Sequence, residues 1–329
     1  MSRFAVIGSN SFSGGHMVER LLAEPGAEVI GISRSPEKGP LFLPYKKRKV
    51  PSFRFFRFDL NEDNSQIMEC LDDFAPQYVI NFAAQGEVGS SWKSPHHWFE
   101  TNAVGIVRLA NALKERKYLK RYVQISTPEV YGSCEGSVAE EARLNPSTPY
   151  AASKAAGDLF LMTLIKQCRF PCVFIRSTNV YGIHQQLYRI IPRTIIYLKQ
   201  GKKIPLHGGG GAVKSYIHVR DVCEGILRAA LGGKNGEIYH LSSGEDIAVR
   251  DLVALVCARM KFNFAKATEH VSDRPGQDAR YSIDSTKARK AFGWRPTLRL
   301  EEGIQEMIDW IEADWEAIQK EPWEYIHQE

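Results

Sequence analysis

The chain opens with a short apolar strand, a glycine-containing loop and an amphipathic helix. The strand runs from Phe4 to Gly8, and the loop reads Gly-Ser-Asn-Ser-Phe-Ser-Gly-Gly over residues 8–15. Such a loop lets backbone amides reach a pyrophosphate at a helix N-terminus. The pattern therefore predicts a parallel α/β sheet that begins with a dinucleotide-binding unit. The apolar face of the helix consists of Met17, Val18, Leu21 and Leu22.

The second predicted strand, Glu28 to Ser33, ends without an acidic residue. In a dinucleotide-binding fold, a carboxylate at this strand end holds the ribose diol of NAD. This chain instead reads Ser-Arg-Ser at residues 33–35. One guanidinium and two hydroxyls suit a 2′-phosphate, so the pattern favours NADP over NAD. In the alternative interpretation, Arg34 stacks on the adenine and leaves the choice of cofactor open.

The candidate chemistry follows a strand that is predicted to end at Ser126. Thr127 and Glu129 stand just beyond it, at the sheet edge where ligands of an open parallel sheet bind. Tyr150 and Lys154 are four residues apart in an alanine-rich predicted helix, so they share one face. A nearby ammonium favours the phenolate form of tyrosine. The pair therefore predicts a base that takes a hydroxyl proton near neutral pH.

These residues form the motifs Ser-Thr-x-Glu-x-Tyr-Gly and Tyr-x-x-x-Lys. Together they resemble the extended short-chain dehydrogenase/reductase family, and within it the nucleotide-sugar 4,6-dehydratases. The resemblance covers nearly the whole chain. It implies an α/β fold, a Rossmann-like doubly wound parallel sheet with a smaller C-terminal α/β substrate lobe. Residues 1–182, with a return segment at about 213–243, are expected to bind NAD(P), and residues 183–329 to form the nucleotide-sugar-binding lobe.

The resemblance also implies a set of cofactor contacts. The family pattern Gly-x-x-Gly-x-x-Gly matches Gly8 and Gly14, but Ser11 stands at its middle glycine, where it tolerates the turn or hydrogen-bonds a phosphate. Asp59 matches an adenine-contacting aspartate. Asn102 is expected to make a structural hydrogen bond near the active site, or to cap a helix. The full expected set is Gly8, Asn10, Ser11, Phe12, Ser13, Gly14, Ser33, Arg34, Asp59, Leu60, Phe82, Ala83, Ala84, Gln85, Asn102, Tyr150 and Lys154.

The expected substrate contacts lie in later motifs. Asn179 belongs to a run that resembles the family's Arg-x-x-Asn-x-Tyr-Gly, and Arg274 to one that resembles Asp-Arg-Pro-Gly-x-Asp-x-Arg. Lys214 stands where relatives often carry arginine, and it meets phosphate as a point charge. Gln85 and Arg34 favour GDP as the nucleotide, and the hexose is left undetermined. The full expected set is Gln85, Thr127, Asn179, Arg193, Lys214 and Arg274.

The activity that the resemblance implies is conversion of a nucleotide-linked hexose into its 4-keto-6-deoxy form. Tyr150 is expected to take the C4 hydroxyl proton as hydride passes from C4 to the nicotinamide. Lys154 is expected to lower the tyrosine pKa and hold the cofactor ribose, while Thr127 hydrogen-bonds the same hydroxyl. Glu129 is expected to remove the C5 proton before water leaves C6 and the hydride returns there. The cofactor is therefore expected to be tightly bound and recycled.

Pro128 departs from the family pattern. Glucose dehydratases of the family usually read Thr-Asp-Glu and mannose dehydratases Thr-Ser-Glu, whereas this chain reads Thr-Pro-Glu at residues 127–129. Proline donates no proton, although a general acid contributes roughly two to four orders of magnitude in rate. Either protonated Glu129 also delivers the acid proton, or an ordered water or another side chain does.

Other functions fit the same residues less well. A 4-epimerase needs Tyr150 and Lys154 but no carboxylate at Glu129. A nucleotide-sugar decarboxylase keeps the glutamate but needs a cationic pocket, for which Arg189 or Lys93 is available outside any matched motif. A non-catalytic dinucleotide sensor is expected to lose the tyrosine or the lysine. The dehydratase interpretation is therefore favoured.

Composition limits the partners and the compartment. The formal net charge is +5, and the one compact basic run, residues 46–49, is interpreted as a solvated loop, so no nucleic acid is expected. The six cysteines form no Cys-x-x-Cys pair, which indicates reduced thiols and no metal site. No apolar run approaches the roughly 18 residues of a membrane span, and the N-terminal strand leaves no room for a signal peptide. We expect a cytoplasmic homodimer, whose interface the resemblance places on helices near 103–115 and 150–167.

Overall fold

The computed structural model describes residues 2–47, 52–134, 136–272 and 282–327. Strands and helices alternate along most of the chain. The strands are β1 (Ser2–Ile7), β2 (Ala27–Ser33), β3 (Phe53–Arg57), β4 (Tyr78–Asn81), β5 (Arg121–Ile125), β6 (Ser137–Val138), β7 (Cys172–Ser177), β8 (Asn179–Tyr181), β9 (Ile204–His207), β10 (Val213–His218), β11 (Ile238–Leu241), β12 (Asp246–Ala248), β13 (Thr268–Val271) and β14 (Ser282–Ile283).

The helices connect these strands on both sides of the main sheet. They are α1 (Phe12–Leu22), α2 (Asn64–Phe74), α3 (Pro95–Phe99), α4 (Ile106–Leu113), α5 (Pro149–Cys168), α6 (Ile190–Lys199), α7 (Val219–Gly232), α8 (Val249–Arg259), α9 (Phe264–Ala267), α10 (Thr286–Phe292), α11 (Leu300–Ala313) and α12 (Trp315–Ile318). A π-helical turn, Glu100–Gly105, precedes α4, and a 3₁₀ turn, Pro128–Tyr131, follows β5.

The main sheet has seven strands in the order β11-β7-β5-β4-β1-β2-β3, and every pair in it is parallel. The order reverses between β1 and β4. At such a switch point the loops after the two strands diverge, and ligands bind in the crevice between them. The predicted Rossmann-like doubly wound sheet is confirmed.

The sheet is covered on both faces because neighbouring residues of each strand point in opposite directions. Phe4 and Val6 of β1 pack in one cluster with residues of α1 and α7. Ala5 and Ile7, which alternate with them, pack in a second cluster with α2, α4 and α5. The continuous apolar run of β1 thus follows from burial on both sides.

A smaller lobe has its own core beyond the main sheet. Strands β12, β10 and β8 form a three-stranded sheet, and β9 pairs with β13. Ile195 of α6, Val253 of α8 and Ile308 of α11 belong to one buried cluster in this lobe. Between lobe segments the chain returns to the main sheet, where β11 pairs with β7. The expected smaller C-terminal α/β lobe is confirmed.

The described residues show no disulfide, no membrane-spanning helix and no cluster of metal ligands. All six cysteines are free thiols. Among the described residues, no helix combines the length and the apolar character needed to span a membrane. In the same part of the chain, no group of three or more His, Cys, Asp and Glu side chains is arranged to hold a metal ion.

Candidate active site

The loop between β1 and α1 is closed by Ser11, the residue at the family's middle glycine position. Ser11 caps α1: its hydroxyl donates to the Gly8 carbonyl at 2.7 Å and accepts from the Gly14 N–H at 3.1 Å. Gly8 has φ +83°, and a Cβ there would lie 2.7 Å from the Ala83 backbone nitrogen. The loops after β1 and β4 therefore meet at the switch point, and Ser11 replaces a glycine by serving as the cap.

A cleft of about 670 Å³ runs along this switch point. Its size lies in the range of ligand sites, roughly 300–1,000 Å³. Most of the predicted cofactor residues line it: Gly8, Asn10, Ser11, Ser33, Arg34, Asp59, Leu60, Phe82, Ala83, Ala84 and Gln85. Phe12, Ser13 and Gly14 lie in α1 behind the loop and do not line it. Asn102, Tyr150 and Lys154 do not line it either.

Asn10 holds the strand end that carries the predicted phosphate-binding residues. Its backbone N–H donates to the Ser33 hydroxyl at 3.0 Å, and its side-chain amide donates to the Ser35 hydroxyl at 2.6 Å. The Asn10 side-chain carbonyl accepts from the Lys38 N–H at 2.9 Å. Because both serine hydroxyls accept these bonds, each keeps its own O–H to donate into the cleft. Asn10 thus acts on the cleft by shaping residues 33–38.

These residues fit a dinucleotide. The glycine loop brings the N-terminal end of α1 to the cleft, as binding of a pyrophosphate requires. Ser33 and Arg34 lie at the end of β2, and Asp59 follows β3 in the same wall. A bound nicotinamide cofactor would therefore place its adenosine half against β2 and β3 and supply hydride chemistry at the other end of the cleft.

Thr127 and Glu129 lie on the turn that follows β5. Thr127 is buried and caps this turn, since its hydroxyl accepts the Glu129 N–H at 3.3 Å. Pro128 is the first residue of the turn, where proline is favoured because no N–H is needed. Tyr150 and Lys154 lie one turn apart near the start of α5, which Thr148 caps by accepting the Ala151 N–H at 3.1 Å.

The electrostatics of this group differ from the expectation for Tyr150. Burial and the neighbouring charge of Glu129 raise the pKa of the Tyr150 phenol, and a hydrogen bond with Thr127 and the charge of Arg189 oppose that rise. Burial lowers the pKa of Lys154 to about 8, and the charge of Asp158 opposes that shift. The Lys154 ammonium donates to the Ile125 carbonyl at 2.7 Å rather than to the phenol.

Arg189 lies between the cleft and the candidate catalytic residues Glu129 and Tyr150. It lines the cleft, lies 3.5 Å from the Glu87 carboxylate, and stacks over the Tyr188 ring at 5.2 Å. Burial opposes the charged form of Arg189, but the charges of Tyr188 and Glu87, followed by those of Tyr150 and Glu129, raise the pKa of its guanidinium. A cation therefore faces the carboxylate and the phenol at the boundary of the two regions. The sequence offered Arg189 only as a cation outside any motif.

Asn102 joins the loop after β4 to the catalytic helix. It is fully buried in the π-helical turn and does not cap a helix. Its side chain accepts the Gln85 N–H at 2.9 Å and donates both to the Gln85 carbonyl and to the Ser153 hydroxyl at 3.0 Å. Gln85 is thus held by its backbone next to the residue that precedes Lys154. A π-helical turn at this place is typical of functional sites.

Of the predicted substrate residues, Gln85 and Thr127 lie in the loops after β4 and β5, and the others that the structure describes lie on the lobe. Asn179 in β8 donates to the Ser215 carbonyl of β10 at 3.1 Å. Lys214 lies in β10 and Arg193 in α6, and both are partly buried. None of the three lines the cleft. Arg274 lies outside the described residues.

One wall of the cleft was not anticipated. The C-terminal segment, residues 319–327, follows α12 and contributes Glu321, Pro322, Glu324, Tyr325 and Ile326 to the lining. The Tyr325 ring packs edge-on against Tyr188 at 5.3 Å, and the His327 ring stacks on Trp98 at 4.9 Å. No motif marks these residues, so only the tertiary structure identifies them as part of the site.

A dinucleotide cleft at the switch point and a tyrosine–lysine pair on the neighbouring helix define a class, the extended short-chain dehydrogenases/reductases. The model of the family described as GDP-mannose 4,6 dehydratase matches residues 6–307. The chain belongs to this family. The expected class of enzyme, an NAD(P)-dependent nucleotide-sugar 4,6-dehydratase, is thereby confirmed.

Three proteins of named function are similar to this chain over most of its length. A dTDP-glucose 4,6-dehydratase of Streptomyces niveus is 32% identical, over 96% of this chain and 95% of that protein. A dTDP-glucose 4,6-dehydratase of Streptomyces antibioticus is 35% identical, over 83% of this chain and 81% of that protein. The crystal structure of the Streptomyces venezuelae dTDP-glucose 4,6-dehydratase with NAD bound superposes with a TM-score of 0.89 at 31% identity and covers 96% of this chain and 98% of that one.

These relatives correct the expected nucleotide. The prediction of GDP is wrong, because the named relatives are dTDP-glucose dehydratases. The prediction depended on Arg34 and Gln85, and both residues line the cleft at the switch point. Arg34 lies at the β2 end of the cofactor cleft, and Gln85 is fixed through its backbone by Asn102. A nucleotide-sugar substrate is supported, and NAD(P) dependence holds without the finer preference for NADP.

Proposed function

We propose that this protein converts dTDP-glucose into dTDP-4-keto-6-deoxyglucose. The observation that carries the proposal is the position of Glu129, whose charge acts directly on the Tyr150 phenol. A carboxylate at this point serves removal of the C5 proton, which an epimerase does not need. The nucleotide is taken from the relatives that align over most of the chain.

The residues of the chain divide the proton transfers among them. Tyr150 takes the C4 hydroxyl proton while Thr127, already hydrogen-bonded to the phenol, binds the same hydroxyl. A bound nicotinamide would supply the hydride acceptor for C4 and the hydride donor for C6, and C5 regains a proton from solvent when the hydride is returned. The ketone at C4 acidifies the C5 proton, which Glu129 removes. The Lys154 ammonium is held at the Ile125 carbonyl, one helical turn after Tyr150, and the charge of Arg189 acts on both Tyr150 and Glu129.

The missing acid at Pro128 is supplied by Glu129 itself in this proposal. Glu129 gains a proton when it removes C5–H, so it carries the proton that the departing C6 hydroxyl needs. Pro128 has no donor at all, and the Thr127 hydroxyl serves the turn and the phenol. One carboxylate then performs both halves of the elimination, which requires C5–H and C6–OH to leave on the same side of the sugar.

Proton NMR in deuterated water tests the activity. Incubation of the purified chain with dTDP-glucose is expected to produce a new C6 methyl signal with deuterium at C5. Glu129→Gln is expected to form no methyl product, because it cannot take the C5 proton. Glu141→Gln, a change at an exposed carboxylate, is the matched control and should keep the activity. A product inverted at C4 with C6 intact would replace the proposal by an epimerase.

The cofactor preference is tested separately. We infer that the chain prefers NADP to NAD, because Ser33 and Arg34 stand at the end of β2 and no carboxylate does. The NAD bound in the structure of the Streptomyces venezuelae relative leads to the opposite expectation. NADP should bind the cofactor-free chain more tightly than NAD, and Arg34→Ala should remove that preference. Tighter NAD binding that Arg34→Ala leaves unchanged would refute the inference. Fluorescence titration measures both constants.

Three further expectations accompany the proposal. Residues 1–182, with the return segment at about 213–243, bind the cofactor, and residues 183–329 bind the nucleotide sugar. The chain acts as a homodimer in the cytoplasm. Asn179, Arg193, Lys214 and Arg274 stay predicted substrate contacts. Asn179 in β8 and Lys214 in β10 belong to the three-stranded sheet of the lobe, although their numbers fall within the ranges expected to bind the cofactor, and Arg193 lies in α6 of the lobe.

A further inference from the structure

Two motif residues have no part in the proposed chemistry. Arg176 begins the Arg-x-x-Asn-x-Tyr-Gly run, and Tyr131 is the tyrosine of the Ser-Thr-x-Glu-x-Tyr-Gly run. Both are buried near the carboxyl ends of β7 and β5. The Arg176 guanidinium pairs with the Asp158 carboxylate at 2.9 Å, and both side chains are 0% exposed. Asp158 lies one helical turn after Lys154 in α5.

The pair connects the three segments that carry the catalytic residues. The same Asp158 oxygen that binds Arg176 also accepts the Ser126 hydroxyl at 2.6 Å, so α5 is tied to the residue before Thr127. The other arm of the Arg176 guanidinium donates to the Tyr131 hydroxyl at 2.6 Å and lies 4.8 Å from the centre of that ring. Tyr131 ends the turn that carries Glu129.

Stability alone does not explain such a pair. Removing two charges from water costs more than their attraction commonly returns, and apolar replacement of a whole buried pair is often neutral or stabilising. Here one Asp158 oxygen and the Arg176 Nε lack a hydrogen-bond partner within the described part of the chain. A buried pair that is incompletely satisfied calls for a role besides stability.

We propose that Asp158 and Arg176 are positioning residues for the proposed dehydration, which hold α5, the end of β5 and the Glu129 turn in register, with the Asp158 carboxylate one helical turn from Lys154. The inference rests on the proposed function. Neither residue touches the substrate in it. Each acts through Lys154, Thr127 and Glu129.

The distribution of charge supports the electrostatic half of the proposal. Burial lowers the pKa of Lys154, and the Asp158 charge is the opposing influence. Asp158 also acts on groups of β5, β7, the Glu129 turn and its own helix. Those groups are Tyr122, Tyr131, Tyr150, Lys154 and Cys172, with Arg176 paired to it and His240 reached through Tyr131.

Kinetics of Asp158→Asn test the positioning role. Asparagine keeps the shape and removes the charge, so kcat for dTDP-glucose should fall about tenfold to a hundredfold while KM changes little, because misplacement of catalytic groups has costs of that order. The alkaline limb of the kcat profile should move to lower pH, since Lys154 then loses its proton more readily. The control is Thr194→Val, which removes a buried hydroxyl that donates to the Ile190 carbonyl. It should leave the alkaline limb of the kcat profile in place.

The paired variants separate positioning from folding. Arg176→Met and Asp158→Asn alone should lower Tm, because each leaves a buried group of the pair without its partner. Asp158→Leu combined with Arg176→Met removes both and should recover Tm. The combined variant should not recover kcat. Recovery of both would make the pair a folding device and overturn the proposal, as would an unmoved alkaline limb in Asp158→Asn.

A double-mutant cycle, measured by the Tm of the purified full chain, tests the inference without substrate. Lys154→Met is compared in the wild-type and the Asp158→Asn backgrounds. If Asp158 holds charge on Lys154, the change in Tm caused by Lys154→Met is more favourable in the Asp158→Asn background at pH 7, and the difference shrinks by pH 10. Equal changes at pH 7 would overturn the inference. Absence of a methyl product from the wild-type chain would instead refute the proposed function alone.

Discussion

At the scale of single residues, Pro128 is the departure with the largest consequence. It occupies the first position of the turn after β5, where Thr127 provides the cap. Proline suits that position by its fixed φ and its missing N–H. The turn therefore forms without the aspartate that the resemblance to glucose dehydratases predicts there. The chemistry, rather than the fold, has to adapt to the substitution.

Pro128→Asp is expected to raise kcat. An aspartate at this position could protonate the C6 leaving group and relieve Glu129 of its second task, and a general acid is worth roughly two to four orders of magnitude. Allowing for a looser turn, we expect a gain of about tenfold or more in methyl product formation. Pro128→Asn, which keeps the size and lacks the acid, should show no gain. An equal gain from both variants would assign the effect to the backbone.

Lys154→Met is expected to stabilise the cofactor-free chain at pH 7. The pKa of Lys154 in the folded chain is about 8, below its usual 10.5, so the cost of burying its charge is present in full below pH 8 and disappears as the pH rises to 10.5. Lys154→Met removes the cost that the lowered pKa represents, but it also removes the hydrogen bond from Lys154 to the Ile125 carbonyl. The net gain in the free energy of unfolding is about 2 kcal/mol. Urea unfolding at pH 7 and pH 10 measures it, and the gain should be smaller at pH 10.

The control for this prediction is Lys234→Met. The Lys234 side chain is 81% exposed, so its charge is not desolvated and its removal should change little at either pH. A loss of stability in Lys154→Met at pH 7 would show that the Ile125 bond outweighs the burial of the charge.

At the scale of elements, the C-terminal segment has an unusual path. It leaves the lobe after Ile318, which is fully buried, and reaches Trp98 in the main domain. The His327 ring lies 3.0 Å from the His97 ring by their nearest nitrogens. The segment is thus held at both ends and passes along one wall of the cofactor cleft. From this path we expect the segment to slow the release of a bound dinucleotide.

Deletion of residues 321–329 is expected to accelerate loss of the cofactor. The dissociation rate should rise about tenfold or more, equivalent to loss of about 1.4 kcal/mol of contact. Tyr325→Ala should show part of the same effect, because it removes the contact with Tyr188. Phe262→Ala, at an exposed aromatic residue away from the cleft, is the control. Retention of cofactor on gel filtration measures the rate, and an unchanged rate would remove the segment from the site.

At the scale of the whole molecule, the main domain exposes an apolar surface on the helices expected to form the dimer. Phe99, Val104 and Leu159 are 39%, 37% and 53% exposed. They lie at the end of α3, in the π-helical turn and on α5, elements that pack against one another. Contiguous exposed apolar side chains mark interaction surfaces. This surface supports the proposed homodimer.

Leu159→Glu is expected to separate the homodimer. A carboxylate in the centre of an apolar interface loses its water and has no partner, so the dimer should dissociate to chains of 37.2 kDa in sedimentation velocity. Leu231→Glu is the matched control, since Leu231 is 48% exposed on α7, on the other face of the sheet. If both variants keep the wild-type mass, the interface lies elsewhere.

Much of the fold follows from local pattern. The apolar run of β1, its glycine loop and the amphipathic α1 predict a switch-point cleft, because a parallel strand buried on both faces needs helices on each side. The motif around Thr127 and Tyr150 predicts that both stand near the same sheet edge. The predicted family and fold are confirmed on this basis, and the individual site roles stay predictions.

The rest depended on contacts between distant segments. Asp158 and Arg176 are ordinary residues of a helix and a strand until the fold buries them together. The Lys154 ammonium donates to the Ile125 carbonyl, a contact between α5 and the end of β5 that no local pattern indicates. The nucleotide base was predicted wrongly, and the prediction depended on Arg34 and Gln85, which were also predicted cofactor contacts and which line the cleft.

The sequence by itself determined the alternation of strands and helices and the dinucleotide loop, and it supplied the candidate catalytic residues, since each depends on spacing within one or two elements. The tertiary structure alone decided which charges are buried together, where the C-terminal segment passes, and how Lys154 and Tyr150 ionise. Those properties depend on desolvation and on distances between residues far apart in the chain, which no local spacing encodes.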